Sequence, residues 1–366
     1  MKILYAVQGT GNGHLSRARE IIPALQKRAE VEVLVSGTQA DISLPVPPKY
    51  QYHGISFIFG QKGGIDFSAT WRRNYLQQIL KEVHSLPVQD YDLVISDFEP
   101  ISCWASQLKG KTCIGLSNQA TVLARGVPRP QHRDPVGEMV LRYYAPTTVA
   151  YGFHFQAYHP QIYTPVIRQE VRQLQPCNEG HYTVYLPAHS DEFILKVLSN
   201  IPDVPWQVFS KHGKSSYRCG NISIQPISEK AFLESMEGCS GILCAAGFAT
   251  PAEALFLKKK LLVVPMKYQY EQQCNAAALQ AMGVPVLKSF KKKHLPKILD
   301  WLEKGSPVPV LYPDRTQEMV DTILAKHAEN STVLPPAPKL SAPVPEALIQ
   351  LLQKPGEHYE LRAKNR

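Results

Sequence analysis

The stretch ILYAVQGTGNGHLSRAREIIPAL, residues 3–25, decides how this chain folds. Five consecutive apolar residues, 3–7, read as a strand buried on both faces, because a half-exposed strand would alternate. Gly9, Gly11 and Gly13 then crowd one short turn. A helix follows over 15–28, with Ile21, Ile22 and Leu25 on its inner face. Strand, glycine loop and helix in that order open a β-α-β unit and predict a parallel sheet flanked by helices. His14 stands at the first turn of the helix. A helix start offers unpaired N–H groups that favour negative charge, and a histidine there is a candidate general base.

The pattern continues and then repeats. In the first half, 31–37, 55–59, 92–97 and 112–117 read as further strands. In the second, strands are expected at 182–188, 206–210, 222–226, 241–246 and 261–266, with helices at 230–236 and 251–256 between them. The polar stretch from Tyr163 to Gly180 carries Pro165 and Pro176 and separates the halves. The expected fold is α/β, with two doubly wound, Rossmann-like parallel-sheet domains facing each other across a cleft. The boundaries are an N-terminal acceptor domain at 1–165, a linker at 166–180, a donor domain at 181–330, and a proline-rich tail with a terminal helix at 331–366. Open sheets of this kind bind ligands at the carboxyl ends of their strands, so both sets of ends should meet in one cleft.

Composition narrows the classes. Of 366 residues, 44% are hydrophobic and 19% charged, as in a folded domain rather than a disordered chain. No apolar run reaches the ~18–20 residues of a membrane span, and the opening apolar run is too short for a signal peptide. Seven cysteines without a CxxC pair argue against a disulfide framework or a zinc site and fit a reducing cytoplasm. The net charge of +9 comes with short basic clusters at 258–260, 291–293 and Arg72–Arg73. These read as solvated surface, or as attraction to phosphate or to anionic lipid at the inner face of a membrane. They are scattered and lack interleaved aromatics, which disfavours nucleic acid.

Several loops fall at the expected cleft. The first is neither a Walker loop, lacking Gly-Lys-Ser/Thr, nor a dinucleotide fingerprint, lacking an acidic residue at the end of the second strand. The stretch SDFEP, 96–100, puts Asp97 and Glu99 at a strand end. Either could orient His14 or bind a substrate hydroxyl, and either could cap the helix that follows. Ser117, Asn118 and Gln119 share this address after the fifth strand. In the second half, Gly247, Phe248, Ala249 and Thr250 form a small-residue loop after a strand, with Pro251 in the first turn of the next helix. Glu253 lies on that turn. Glu271, Gln272 and Asn275 start a later helix, the first and last at i and i+4. The one D-x-D, Asp90–Asp92, precedes a strand and sits at the wrong end of the sheet for a metal-diphosphate site.

Residues 244–276, CAAGFATPAEALFLKKKLLVVPMKYQYEQQCNA, resemble the donor-binding motif of GT-B glycosyltransferases. Gly247, Thr250, Glu253, Ala254, Pro265, Glu271, Gln272, Asn275 and Ala276 match it. The GTGNGH loop is similar to that of the peptidoglycan lipid-intermediate GlcNAc transferase group, and the opening through SRA is nearer to a further prokaryotic family of that superfamily. The resemblance covers roughly 1–330. It departs at Ala246, where many members have glycine, and at 267–270, which lengthens the loop. It implies a nucleotide diphosphate sugar as donor, UDP-linked by preference, and a hydroxyl acceptor, lipid-linked or in the cell envelope. Glu253 would take the ribose, Gly247 to Thr250 the diphosphate, and Glu271, Gln272 and Asn275 the sugar hydroxyls. His14 would be base or stabiliser, with Asp97 beside it, and Gly9, Gly11 and Gly13 would let the acceptor approach. Glu99 and Asn118 are acceptor-side candidates; His189 and Ser190 are candidates on the phosphate side. Retaining members carry a glutamate eight residues before the ribose-binding one; here that position is Ala245, which implies inversion. No metal and no cofactor are expected. The competing readings are a sugar-nucleotide 2-epimerase on the same fold and a non-catalytic nucleotide-sugar-binding protein.

Overall fold

The computed structural model describes residues 1–37, 43–54 and 73–328. The strand expected at 55–59, Arg72 of the Arg72–Arg73 cluster and the tail 331–366 lie outside them.

The first half builds one all-parallel, seven-stranded sheet. Its elements in chain order are β1 (Lys2–Gln8), α1 (Asn12–Gln26), β2 (Glu30–Ser36), β3 (Tyr50–Tyr52), α2 (Arg73–Ser85), β4 (Leu93–Asp97), α3 (Pro100–Leu108), β5 (Cys113–Leu116), α4 (Pro135–Tyr143), β6 (Val149–Phe153) and β7 (Ile162–Tyr163). The strand order is β3-β2-β1-β4-β5-β6-β7. Six of the seven residues of β1 and all five of β4 are buried, as their unbroken apolar runs require. The order reverses between β1 and β4, which are paired from Ile3↔Leu93 to Val7↔Asp97. This switch point opens a crevice at the carboxyl ends, directly beside the first turn of α1, which carries His14.

The second half repeats the plan. A short α5 (Gln169–Arg172) leads to β8 (Tyr182–Tyr185), α6 (Asp191–Leu198), β9 (Trp206–Ser210), β10 (Tyr217–Cys219), β11 (Ile222–Pro226), α7 (Glu229–Gly238), β12 (Gly241–Ala245), α8 (Ala249–Phe256), β13 (Lys260–Val264), α9 (Tyr270–Ala281), α10 (Leu295–Lys304) and α11 (Thr316–Ala328). The sheet order is β10-β11-β9-β8-β12-β13, with β10 antiparallel at the edge and the switch between β8 and β12. No helix among the described residues is long and apolar enough to cross a membrane.

Two features depart from the expected organisation. The connecting stretch is less polar in its packing than in its composition: Ile167, Arg168 and Val171 are all buried. The last described helix, α11, falls within the span 181–330 expected for the second domain but crosses back onto the first. Met319, Val320, Ile323 and Leu324 join Ile21, Ile22 and Leu25 in one apolar cluster, Arg28 pairs with Asp321 at 2.8 Å, and Gln317 donates to the Ala24 carbonyl. An amphipathic helix buries its apolar stripe wherever a complementary face is free, and α1 supplies that face. The two halves also touch directly across the cleft, where the Phe155 and Phe248 rings lie 5.1 Å apart.

Candidate active site

The glycines of the first loop divide by role. A Cβ on Gly9 would come within 2.9 Å of Val35, so that glycine lets the chain leave β1 against β2. Gly11 and Gly247 have open space around the missing Cβ and ordinary φ values, so the fold itself does not demand glycine at either. Both sit where helix starts face the cleft. A Cβ on Gly13, the second residue of α1, would lie 3.8 Å from that of Ala249, the first residue of α8. Two helix N-termini from two domains thus converge, and neither carries a side-chain cap. Uncapped N–H groups backed by two helix dipoles make a strong anion site.

His14 lies at this junction. Its Nδ1 is 2.8 Å from Asp97 Oδ1 at the end of β4. Arg17, one turn further along α1, grips the same carboxylate: Nε to Oδ2 at 3.0 Å, Nη2 to Oδ1 at 2.5 Å and to Oδ2 at 2.8 Å. Arg17 and Asp97 are buried, and the guanidinium lies over the Phe153 ring at 5.2 Å. Burial would raise the Asp97 carboxyl, but Arg17, followed by His14, outweighs it and holds the carboxyl below its usual range. An ionised Asp97 accepts the Nδ1 proton and leaves the Nε2 lone pair free to act as a base. The backbone between Asp97 and Glu99 is strained, with Phe98 in the left-handed region at φ 57°, a conformation that costs ~1–3 kcal/mol and clusters at functional sites.

From the second domain, Glu271 on the first turn of α9 reaches the same place. Gln119 bridges to it: its Nε2 lies 3.3 Å from His14 Nε2 and donates to Glu271 Oε2 at 3.0 Å. Burial raises the Glu271 carboxyl above its ordinary value, although His14, Gln119 and Arg17 pull the other way. Glu253 is buried on α8, and both its oxygens accept from Arg168 of the connecting stretch, at 2.7 and 3.0 Å. Each oxygen retains a second lone pair. Asn275 donates to the Ala246 carbonyl at 3.3 Å, and its own Oδ1 is buried without a partner.

Several expected contributors have other work. Glu99, an acceptor-side candidate, is fully buried and caps α3, accepting from the Ile101 and Ser102 N–H groups and from the Ser36 hydroxyl. Asn118 is buried under its loop, donating to the Phe153 carbonyl, and its successor Gln119 reaches the cleft instead. Gln272 Oε1 accepts from the Met266 N–H and shapes the turn before α9. Ser190 caps α6, and His189 stacks on Phe193, with ring centroids 5.3 Å apart. Lys259 is no surface cation: it is buried with its ammonium on the carbonyls of Cys177, Glu237 and Cys239. Asp92 accepts from the Lys2 N–H, at the far end of the sheet from the cleft. Arg17 and Arg168 were not picked out from sequence. Arg17 stands at i+3 from His14, a spacing that puts the two on one helix face; nothing local marks Arg168.

The sequence profile described as Glycosyl transferase family 1 matches residues 1–304. The chain belongs to that family. This glycosyltransferase has the GT-B fold, as its two parallel-dominated sheets indicate. Solved structures similar to it include the glycotransferase of kitacinnamycin, with 13% identity over 89% of this chain and 95% of that one, at a TM-score of 0.50. The Streptomyces sp. SF2575 glycosyltransferase SsfS6, solved with thymidine diphosphate, also has 13% identity, over 90% and 96% of the chains, at 0.50. MurG of Acinetobacter baumannii has 14% identity over 96% and 99%, at 0.49. A search of curated protein sequences returned no match.

Proposed function

We propose that this glycosyltransferase moves a sugar from a nucleoside diphosphate donor, UDP-linked by preference, to a hydroxyl acceptor with inversion at the anomeric carbon. The observation that carries the reading is the His14–Asp97 pair, 2.8 Å apart, with His14 Nε2 turned towards the cleft side occupied by Glu271. In this scheme Nε2 takes the acceptor's hydroxyl proton while the acceptor oxygen bonds to the anomeric carbon. The bond from that carbon to the diphosphate breaks, and the electron pair leaves with the diphosphate. The converging starts of α1 and α8 stabilise the departing charge, so the chemistry requires no metal ion. Ala245, where retaining relatives carry glutamate, supports direct displacement. Glu253, steadied by Arg168, keeps lone pairs for ribose hydroxyls, and Glu271 and Asn275 offer acceptors to the sugar. A lipid-linked or cell-envelope acceptor rests on the sequence resemblance, a cytoplasmic location on the cysteine usage, and peripheral contact at the inner leaflet on the basic clusters.

Isothermal titration calorimetry with UDP, dTDP, GDP and CDP, with and without Mg²⁺, tests the donor side; dTDP earns its place because SsfS6 was solved with that nucleotide. One nucleotide is expected to bind at micromolar Kd without metal and to lose binding in Glu253→Ala. No binding by any nucleotide would overturn the reading and favour a scaffold without transfer activity.

A further inference from the structure

The Gln119 side chain lies between His14 of the first domain and Glu271 of the second. With Nδ1–H given to Asp97, His14 Nε2 is an acceptor, and Glu271 Oε2 is a second acceptor across the cleft. The Gln119 amide nitrogen has two protons and lies 3.3 Å from one acceptor and 3.0 Å from the other. Reversing the amide would set its oxygen against both lone-pair sites, so the hydrogen-bond pattern fixes the orientation. The amide oxygen itself is buried without a partner.

We propose that Gln119 is a positioning residue that holds the base and the sugar-side carboxylate in register and keeps water off His14 until substrate hydroxyls replace it. The proposal rests on the reading of His14 as the base. A water molecule on Nε2 could lose a proton to it while its oxygen bonded to the anomeric carbon and the diphosphate left, which would hydrolyse the donor. An amide N–H in the same place satisfies the lone pair but gives up no proton at neutral pH. The group that displaces Gln119 must therefore bring hydroxyl protons to both acceptors: an acceptor alcohol to Nε2 and a sugar hydroxyl to Glu271. Gln119 thus links acceptor and donor occupancy across the two domains.

Carbethoxylation of the ligand-free protein by diethyl pyrocarbonate, followed residue by residue by mass spectrometry, reads access to the imidazole lone pair without any substrate. Gln119→Ala should speed modification of His14 by about 2- to 10-fold, the factor one net hydrogen bond represents, while exposed His132 is unchanged. Gln119→Asn, one methylene too short to bridge, should do the same and covers the case in which the alanine variant fails to fold. A melting temperature within error of the parent separates this local effect from loosening of the fold. An unchanged rate at His14 in a folded variant overturns the proposal. The reading of His14 as base fails on a different observation, retained sugar transfer in His14→Ala, so the two failures are distinguishable.

Discussion

Replacing Arg17 with methionine removes one partner of a charge pair that has almost no contact with solvent. Asp97 has 0% of its surface exposed and Arg17 5%, and three contacts between 2.5 and 3.0 Å join them. Solvent screening that makes surface pairs worth little does not operate here. Deleting one member of such a pair leaves an uncompensated buried charge and costs about 3–5 kcal/mol. In a domain of this size 1 kcal/mol moves Tm by about 2–4 °C, so Arg17→Met should lower the first transition by roughly 6–20 °C. His14 still donates to Asp97, which places the expectation towards the lower end. The sign of the pH dependence follows from the Asp97 carboxyl. Its folded pKa lies below the ordinary value, so the parent keeps this stabilisation above about pH 4 and loses it only on further acidification. In the variant burial is opposed by His14 without Arg17, the carboxyl rises relative to the parent, and folding is penalised as pH increases. The gap between parent and variant should therefore widen from pH 5 to pH 8. Scanning calorimetry across that range measures it. Arg17→Met combined with Asp97→Asn should recover part of the loss, because no buried charge is left alone. A fall of less than about 2 °C at pH 8, or no recovery in the double variant, would refute the reasoning.

Two further outcomes are expected. Asp97→Asn keeps the shape but offers an N–H to His14 Nδ1, which moves the ring proton to Nε2; kcat for nucleoside diphosphate release should fall by about 10³–10⁴-fold with the circular dichroism spectrum unchanged. Glu271→Gln removes a carboxyl that burial has raised, so ionisation no longer penalises the folded state. Its Tm should exceed the parent's at pH 8, where the parent's carboxyl is ionised, and the difference should vanish by pH 4, below the ordinary glutamate value.

The parallel strands were legible because burial on both faces leaves unbroken apolar runs, and β9 and β11 fall on the expected residues, 206–210 and 222–226. The strand β10 was not, because its three residues, Tyr217–Cys219, are exposed and lack the apolar signature. β6 starts with two residues outside the core and β7 is only two residues long, so neither carries an unbroken buried run. At the site, His14 and Asp97 could be placed because each follows a strand that the sheet order brings to the switch point. The capping role of Glu99 was one of two open readings, and Pro100 at the first helical position decides it in favour of the helix start. Gln119 and Arg168 owe their positions to contacts 152 and 85 residues away, and no local pattern encodes such distances.

The return of α11 to the first domain has a mechanical consequence. Among the described residues the polypeptide passes between the two sheets twice, once through 163–180 and again through 305–315, where the Tyr312 hydroxyl is anchored to the Phe155 carbonyl at 2.9 Å. A body held by one strap can swing and twist in any direction. One held by two is confined to rotation about the line joining them. Opening of the cleft is thereby reduced towards a single degree of freedom, and the facing surfaces return to the same register each time they close. A protease cut within 163–180 alone would leave the halves tethered, and their release as separate bodies needs a second cut before Thr316.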